Sequence, residues 1–253
     1  MNSKLGYYLL VTLLLFGLQG CAKKETAKSP NTAIKSVPES TPLPEIPPTL
    51  KEILDNKNTQ TESQLKNIDF SNYTYPLPRG WQDIDSKEVT LNDGERPVTE
   101  EKIGIQYLTR KFGDVTGDGN DEAFVILKVK TGGAAIPLIV YIFEWKNNGP
   151  NLIWYFRTGD RAAGGLKRIY AEEGELVLEL FGRDRYIYNQ METSRIVGDE
   201  VQLCCPTQFT HTKYKQKGNS FELDGDRYTY SLTNPDATPE KNLNEKRLEE
   251  ESE

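Results

Sequence analysis

The sequence predicts an all-β fold, mostly antiparallel and arranged as a meander or sandwich, behind a disordered N-terminal tether. Three observations predict it. Between residues 67 and 235, short runs rich in β-branched and aromatic residues alternate with turn-forming pairs. No helical period longer than two turns occurs between residues 100 and 235, which argues against the crossover helices of a parallel sheet. From residue 22 to 66 the chain carries prolines at 30, 38, 42, 44, 47 and 48 and little to bury, so it cannot offset its ordering entropy.

Residues 1–20 are expected to be an export signal: Lys4 precedes an uncharged apolar run from Leu5 to Leu18, shorter than the roughly 20 residues a spanning helix needs. The run ends in "LQGC", which resembles the bacterial lipobox, with Gln19 a less usual residue there. That resemblance implies diacylation of Cys21, which becomes the mature N-terminus. The expected location is the cell envelope, on the outer membrane of a diderm cell or otherwise the outer face of the plasma membrane. Membrane contact is through the lipid alone.

The lipidated linker is taken as residues 21–66, with a typical span of about 35 to 40 Å. Within it "TLKEILDN" can form a short helix capped by Thr49, with Leu50, Ile53 and Leu54 on one side. The β domain is taken as 67–235, opening with Phe70, Tyr73, Tyr75 and Trp81. "AFVILKVK" and "IPLIVYIFEW" read as strands, and "NNGP" turns the second into "NLIWYF". "GLKRIYA" and "ELVLELFG" join through "EEG", and "TKYKQ" and "SFEL" through "KGN". Asp224-Gly225 is a type I′ hairpin signal. Residues 236–253, charged and net acidic, read as a disordered tail.

The sharpest motif is "GDVTGDGNDEA". Counting Asp114 as position 1, Thr116, Asp118, Asn120 and Glu122 follow at alternate positions, with Gly119 at position 6. Oxygens at this spacing, wrapped around a glycine bend, suit a hard cation such as Ca²⁺. Position 12 is Val125 in a strand-like run, so this is no EF-hand. The segment resembles the loops of FG-GAP and VCBS-type β-repeats, which implies carboxylate ligands from Asp114, Asp118 and Glu122, a hydroxyl from Thr116 and the backbone carbonyl of Asn120. Thr116 departs from the usual acid or amide, and the motif occurs once. Two other readings stay open, an Asx-type turn whose acids cap backbone N–H groups and a site for a different ion.

Cys204 and Cys205 are adjacent. Buried thiols, a strained vicinal disulfide, and a redox or metal role shared with His211, the sole histidine, remain alternatives. The succession "GDVTGDGNDEA", "TGDRAAGGL", "EEGELVLEL" and "CCPTQFT" resembles a group of bacterial envelope lipoproteins of the LppP/LprE type. The resemblance covers about residues 67 to 225 and implies an exported β domain without naming a reaction.

Asp160 and Arg161 lie in a glycine-bearing loop that can order itself or bind a ligand. In "LIWYF", Tyr155 faces away from Trp154 and Phe156, as core or as a stacking platform. A net charge of -7 excludes a duplex nucleic-acid partner. No "GxSxG" elbow or phosphate loop is present. The expected function is a non-enzymatic envelope module that binds a polymer or an exported protein, with calcium as the candidate stabilising ion. A glycan hydrolase, and an inhibitor or chaperone-like partner of another exported protein, are the alternatives.

Overall fold

The computed structural model describes residues 50–79, 81–82, 85–130, 137–160, 164–188, 195–197, 205–218 and 220–243. All lie in one compact unit, Glu45–Glu253. The described strands are antiparallel and form two five-stranded sheets and two small ribbons.

The first sheet has the order β3 (Glu95–Arg96), β4 (Gly104–Gly113), β5 (Glu122–Lys130), β6 (Leu138–Lys146), β7 (Gly149–Arg157), a meander in chain order. In the second, β8 (Leu166–Glu172) and β9 (Glu175–Phe181) form a hairpin. β12 (Gln208–Lys217) pairs with β9, β13 (Ser220–Ser231) with β12, and β14 (Glu240–Lys241) with β13. A ribbon of β10 (Tyr186–Tyr188) and β11 (Arg195–Val197) lies in the chain between β9 and β12.

The unbroken apolar runs of β5 and β6 have a tertiary cause. Their alternate residues feed two separate cores, so both faces of the first sheet are covered and neither side needs polar residues. Phe124, Ile126, Val140 and Ile142 pack against Ile169, Leu178, Leu180 and Tyr214 of the second sheet. Trp154 bridges the layers, stacked on Phe221 at 5.2 Å and beside Tyr214 at 5.4 Å. On the opposite face, Val125, Leu127, Tyr141 and Phe143 meet a third layer built by Leu65, Phe70, Tyr75 and Val89. That layer comprises two 3-10 turns, Gln64–Asn67 and Phe70–Asn72, and the ribbon β1 (Thr74–Pro76) with β2 (Glu88–Thr90). Each fully buried side chain of this size contributes about 1.5–3 kcal/mol.

Five readings change. The folded part begins upstream of residue 67: Leu50 and Ile53 sit in the inter-sheet core and Leu65 in the second core. The expected helix is one turn, closed by Leu54 N–H to Leu50 C=O at 2.9 Å. Residues 50–62 then run as a strap along the margin of β4, with Phe112 N–H donating to Asn58 C=O at 2.7 Å. Glu240–Lys241 form a strand and Leu243 is buried, so the sheet continues into the expected tail. Asp224-Gly225 makes no hairpin. β13 runs through it, and between His211↔Tyr228 and Lys213↔Asp224 the strand carries extra residues as a bulge. Tyr155 is no platform either, because it stacks on Tyr141 at 5.7 Å inside the second core.

Candidate functional site at the loop-bearing end

Strand direction gathers four connections at one end of the sandwich. In the first sheet, Ala123 at the start of β5 pairs with Phe143 toward the end of β6, placing the β4–β5 and β6–β7 connections together. In the second, Tyr214 pairs with Leu176, placing the β8–β9 and β12–β13 turns together. The two sets meet at glycines: a Cβ on Gly174 would lie 3.0 Å from the Gly117 Cα, and one on Gly113 2.7 Å from the Ala171 Cβ. Asn147 and Asn148, and Glu173 and Gly174, have paired positive φ values that close the tight turns.

The acidic loop lies at this end and is closed by its own carboxylates. Asp114 Oδ1 accepts from Gly117 N–H at 2.7 Å and its Oδ2 from Gly119 N–H at 3.0 Å. Asp118 Oδ1 accepts from the Asn120 N–H at 2.8 Å and from its side-chain amide at 3.2 Å. Glu122, 2% exposed, accepts from Val115 N–H at 2.9 Å. Burial, with Asp118 and Asp114 nearby, pushes its carboxyl up to about 8, against the pull of the Val115 bond. Thr116 Oγ1 is shielded from water and has no hydrogen-bond partner among the described residues. Asp121, not singled out in the sequence, accepts from the strap's Thr61 hydroxyl at 2.6 Å.

The arrangement is therefore an Asx-type turn in its bonding. Its fit to a hard cation is partial: the carboxylate oxygens of Asp114, Asp118 and Glu122 keep lone pairs beyond these bonds. Among the described residues, though, no three His, Cys, Asp or Glu side chains converge closely enough to hold a metal ion.

Two polar depressions open at the same end. One of about 380 Å³ lies between the strap, the acidic loop and the β8–β9 turn, lined by Asn58, Gln60, Asp114, Asp121 and Glu173. The other, about 410 Å³, is lined by Glu144, Asn147, Asn151 and Gln216. Glu175 is also raised, by burial and by Asp224 beside it, but neither it nor Glu122 lines either depression.

The remaining predicted site residues are not brought to this end. Asp160 follows β7, whose last residue, Arg157, pairs with Ile139 at the start of β6, so it lies at the opposite end. Arg161, Cys204 and Cys21 fall outside the described residues, and Cys205 is exposed. His211 instead faces Glu179, with Nδ1 3.8 Å from Oε1, on the outward face of the second sheet. Lys167 donates to the same buried carboxylate at 2.6 Å. Burial would raise Glu179, but bonds to His211 and Lys167 outweigh it and hold the group below the usual carboxylate range. No family model, curated protein or solved structure matches this chain.

Proposed function

We propose that the chain is an exported lipoprotein, anchored through Cys21, whose β-sandwich is a non-enzymatic binding module that engages an envelope polymer or another exported protein. The observation that carries this reading is the gathering of four hairpin connections at one end, around two polar depressions of about 410 and 380 Å³. Loops held by a rigid scaffold are where binding residues concentrate. The "LQGC" sequence and the proline-rich segment behind it support the anchor and the reach.

A photo-crosslinker at Asn148, at the loop-bearing end, is compared with one at Asn234, beyond the opposite end of β13, in intact cells. Capture of an envelope component from Asn148 alone supports the module. Capture from Asn234 alone, or from neither, overturns it. Cys21→Ser should release the protein from the membrane and abolish palmitate labelling.

Calcium at the β4–β5 loop is a second reading, favoured by the buried Glu122 carboxylate beside Asp114 and Asp118, a crowding of acids that a divalent cation would relieve. Here calcium would tighten the loop that borders the binding end. Its test is a melting curve in chelator and in millimolar Ca²⁺, beside Asp114→Asn/Asp118→Asn. Saturation at 100 times Kd is worth about 2.7 kcal/mol. A shift that the double variant lacks supports the site, and no shift removes it.

A further inference from the structure

The apolar layer between the sheets does not reach the rim at the loop-bearing end. On β6 the inward positions run Val140, Ile142 and then Glu144; on β12 they run Thr212, Tyr214 and then Gln216, whose cross-strand partner is the core residue Phe221. Ile153, the extra residue of a β7 bulge, is 8% exposed and marks the edge of the apolar layer. The inter-sheet space therefore ends in an open mouth of about 410 Å³ with an apolar edge at Ile153 and polar walls.

We propose that this mouth binds an uncharged, hydroxyl- and amide-bearing saccharide of an envelope glycan; the inference rests on the binding-module reading above and names the ligand class. The walls are prearranged and close to neutral. Glu144 is held by the Asn151 side-chain amide at 2.7 Å and offset by Lys146 at 3.1 Å. Asn147 and Gln216 line the mouth, and each side-chain amide offers two donors and an acceptor. Hydroxyl and acetamido groups likewise both donate and accept, so a sugar satisfies these amides from either side. A wholly apolar ligand would leave them unpaired at a cost. A phosphate would meet one lysine already engaged by Glu144. Ile153 leaves a small apolar edge for C–H groups of a pyranose ring, and the volume lies within the roughly 300–1,000 Å³ usual for small-ligand sites.

The test titrates the full chain in detergent with triacetylchitotriose, with cellotriose and with inorganic phosphate. Gln216→Glu keeps the side-chain shape, Gln216→Ala removes it, and Asn147→Gly removes an amide while tolerating the φ of +52°. Saturable binding of either sugar in the millimolar range or tighter is expected, with phosphate ineffective. Loss of one amide should weaken it about three- to tenfold, with the melting temperature of Gln216→Glu unchanged. Chitotriose alone binding would assign an acetamido sugar; equal binding of cellotriose would assign the hydroxyls. Binding undiminished in all three variants, or displacement by phosphate, overturns the inference. Absence of sugar binding while Asn148 still captures an exported protein overturns the saccharide and leaves the module standing; absence of both removes both.

Discussion

The ammonium of Lys111, buried on β4, is closed by Asp55, 56 residues earlier in the chain, through its carboxylate and its backbone carbonyl. Lys57 C=O accepts a third bond at 3.0 Å. Burial would raise Asp55, but the Lys111 contact outweighs it and holds the carboxyl below its ordinary value. The strap thus supplies the counter-charge for a lysine that the sandwich buries. Asp55→Ala should lower stability by about 1–3 kcal/mol. That is less than the 3–5 kcal/mol for breaking a fully buried pair, because the Asp55 side chain remains 30% exposed. Urea unfolding of the two proteins measures the difference.

Removing the strap entirely should cost far more. A chain beginning at residue 67 loses Leu50, Ile53 and Leu65 from two cores, together with Asp55 and the Glu52 partner of Lys167 at 3.1 Å. Ile53→Ala alone should cost about 2–5 kcal/mol. Cooperative melting of the 67-onward chain at the full-length temperature would refute the strap's role.

Glu122 makes stability fall as pH rises. Its unfolded carboxyl titrates near 4.5 and its folded one near 8, so within that window the unfolded state has released a proton that the folded state keeps. The penalty is absent below the window and complete above it, at most about 5 kcal/mol. Glu122→Gln, which keeps a carbonyl for the Val115 N–H, should flatten the melting temperature between pH 5 and 8 in chelator. An unchanged slope would show that other groups carry it.

The contact between the sheets at Gly113 should be intolerant of a methyl group. Gly113→Ala places a Cβ 2.7 Å from that of Ala171, a contact that neighbouring backbone must yield to, and should cost about 1–3 kcal/mol. Gly149→Ala meets nothing within 4 Å and should stay within about 0.5 kcal/mol. Equal effects in thermal melts would mean that the close approach carries no energy.

Deleting residues 236–253 should also destabilise the fold. It removes β14 and Asn242, whose side chain accepts from Arg227 N–H at 2.6 Å, beside the buried Arg227–Asp184 pair. Loss of several degrees in melting temperature is expected, and none would restore the reading of this segment as a free tail.

The strands and most of their turns were legible in the sequence because their signals are local. Val, Ile, Leu and aromatic runs specify β5, β6, β7 and β9, while Asn147-Asn148 and Glu173-Gly174 adopt the positive φ of tight turns. The acidic loop was legible for the same reason, since its glycine bend and alternating oxygens occupy nine consecutive positions. Tertiary structure alone decided the strap, β14, the Asp224-Gly225 bulge and the polar mouth. Each depends on partners far apart in sequence: Lys111 with Asp55, Arg227 with Asn242, β13 with both β12 and β14, and Glu144 and Asn151 with Gln216. A polar residue at a strand end looks the same in sequence whether it meets water or the mouth of a second sheet. The distinction arises only when packing sets how far the apolar layer extends.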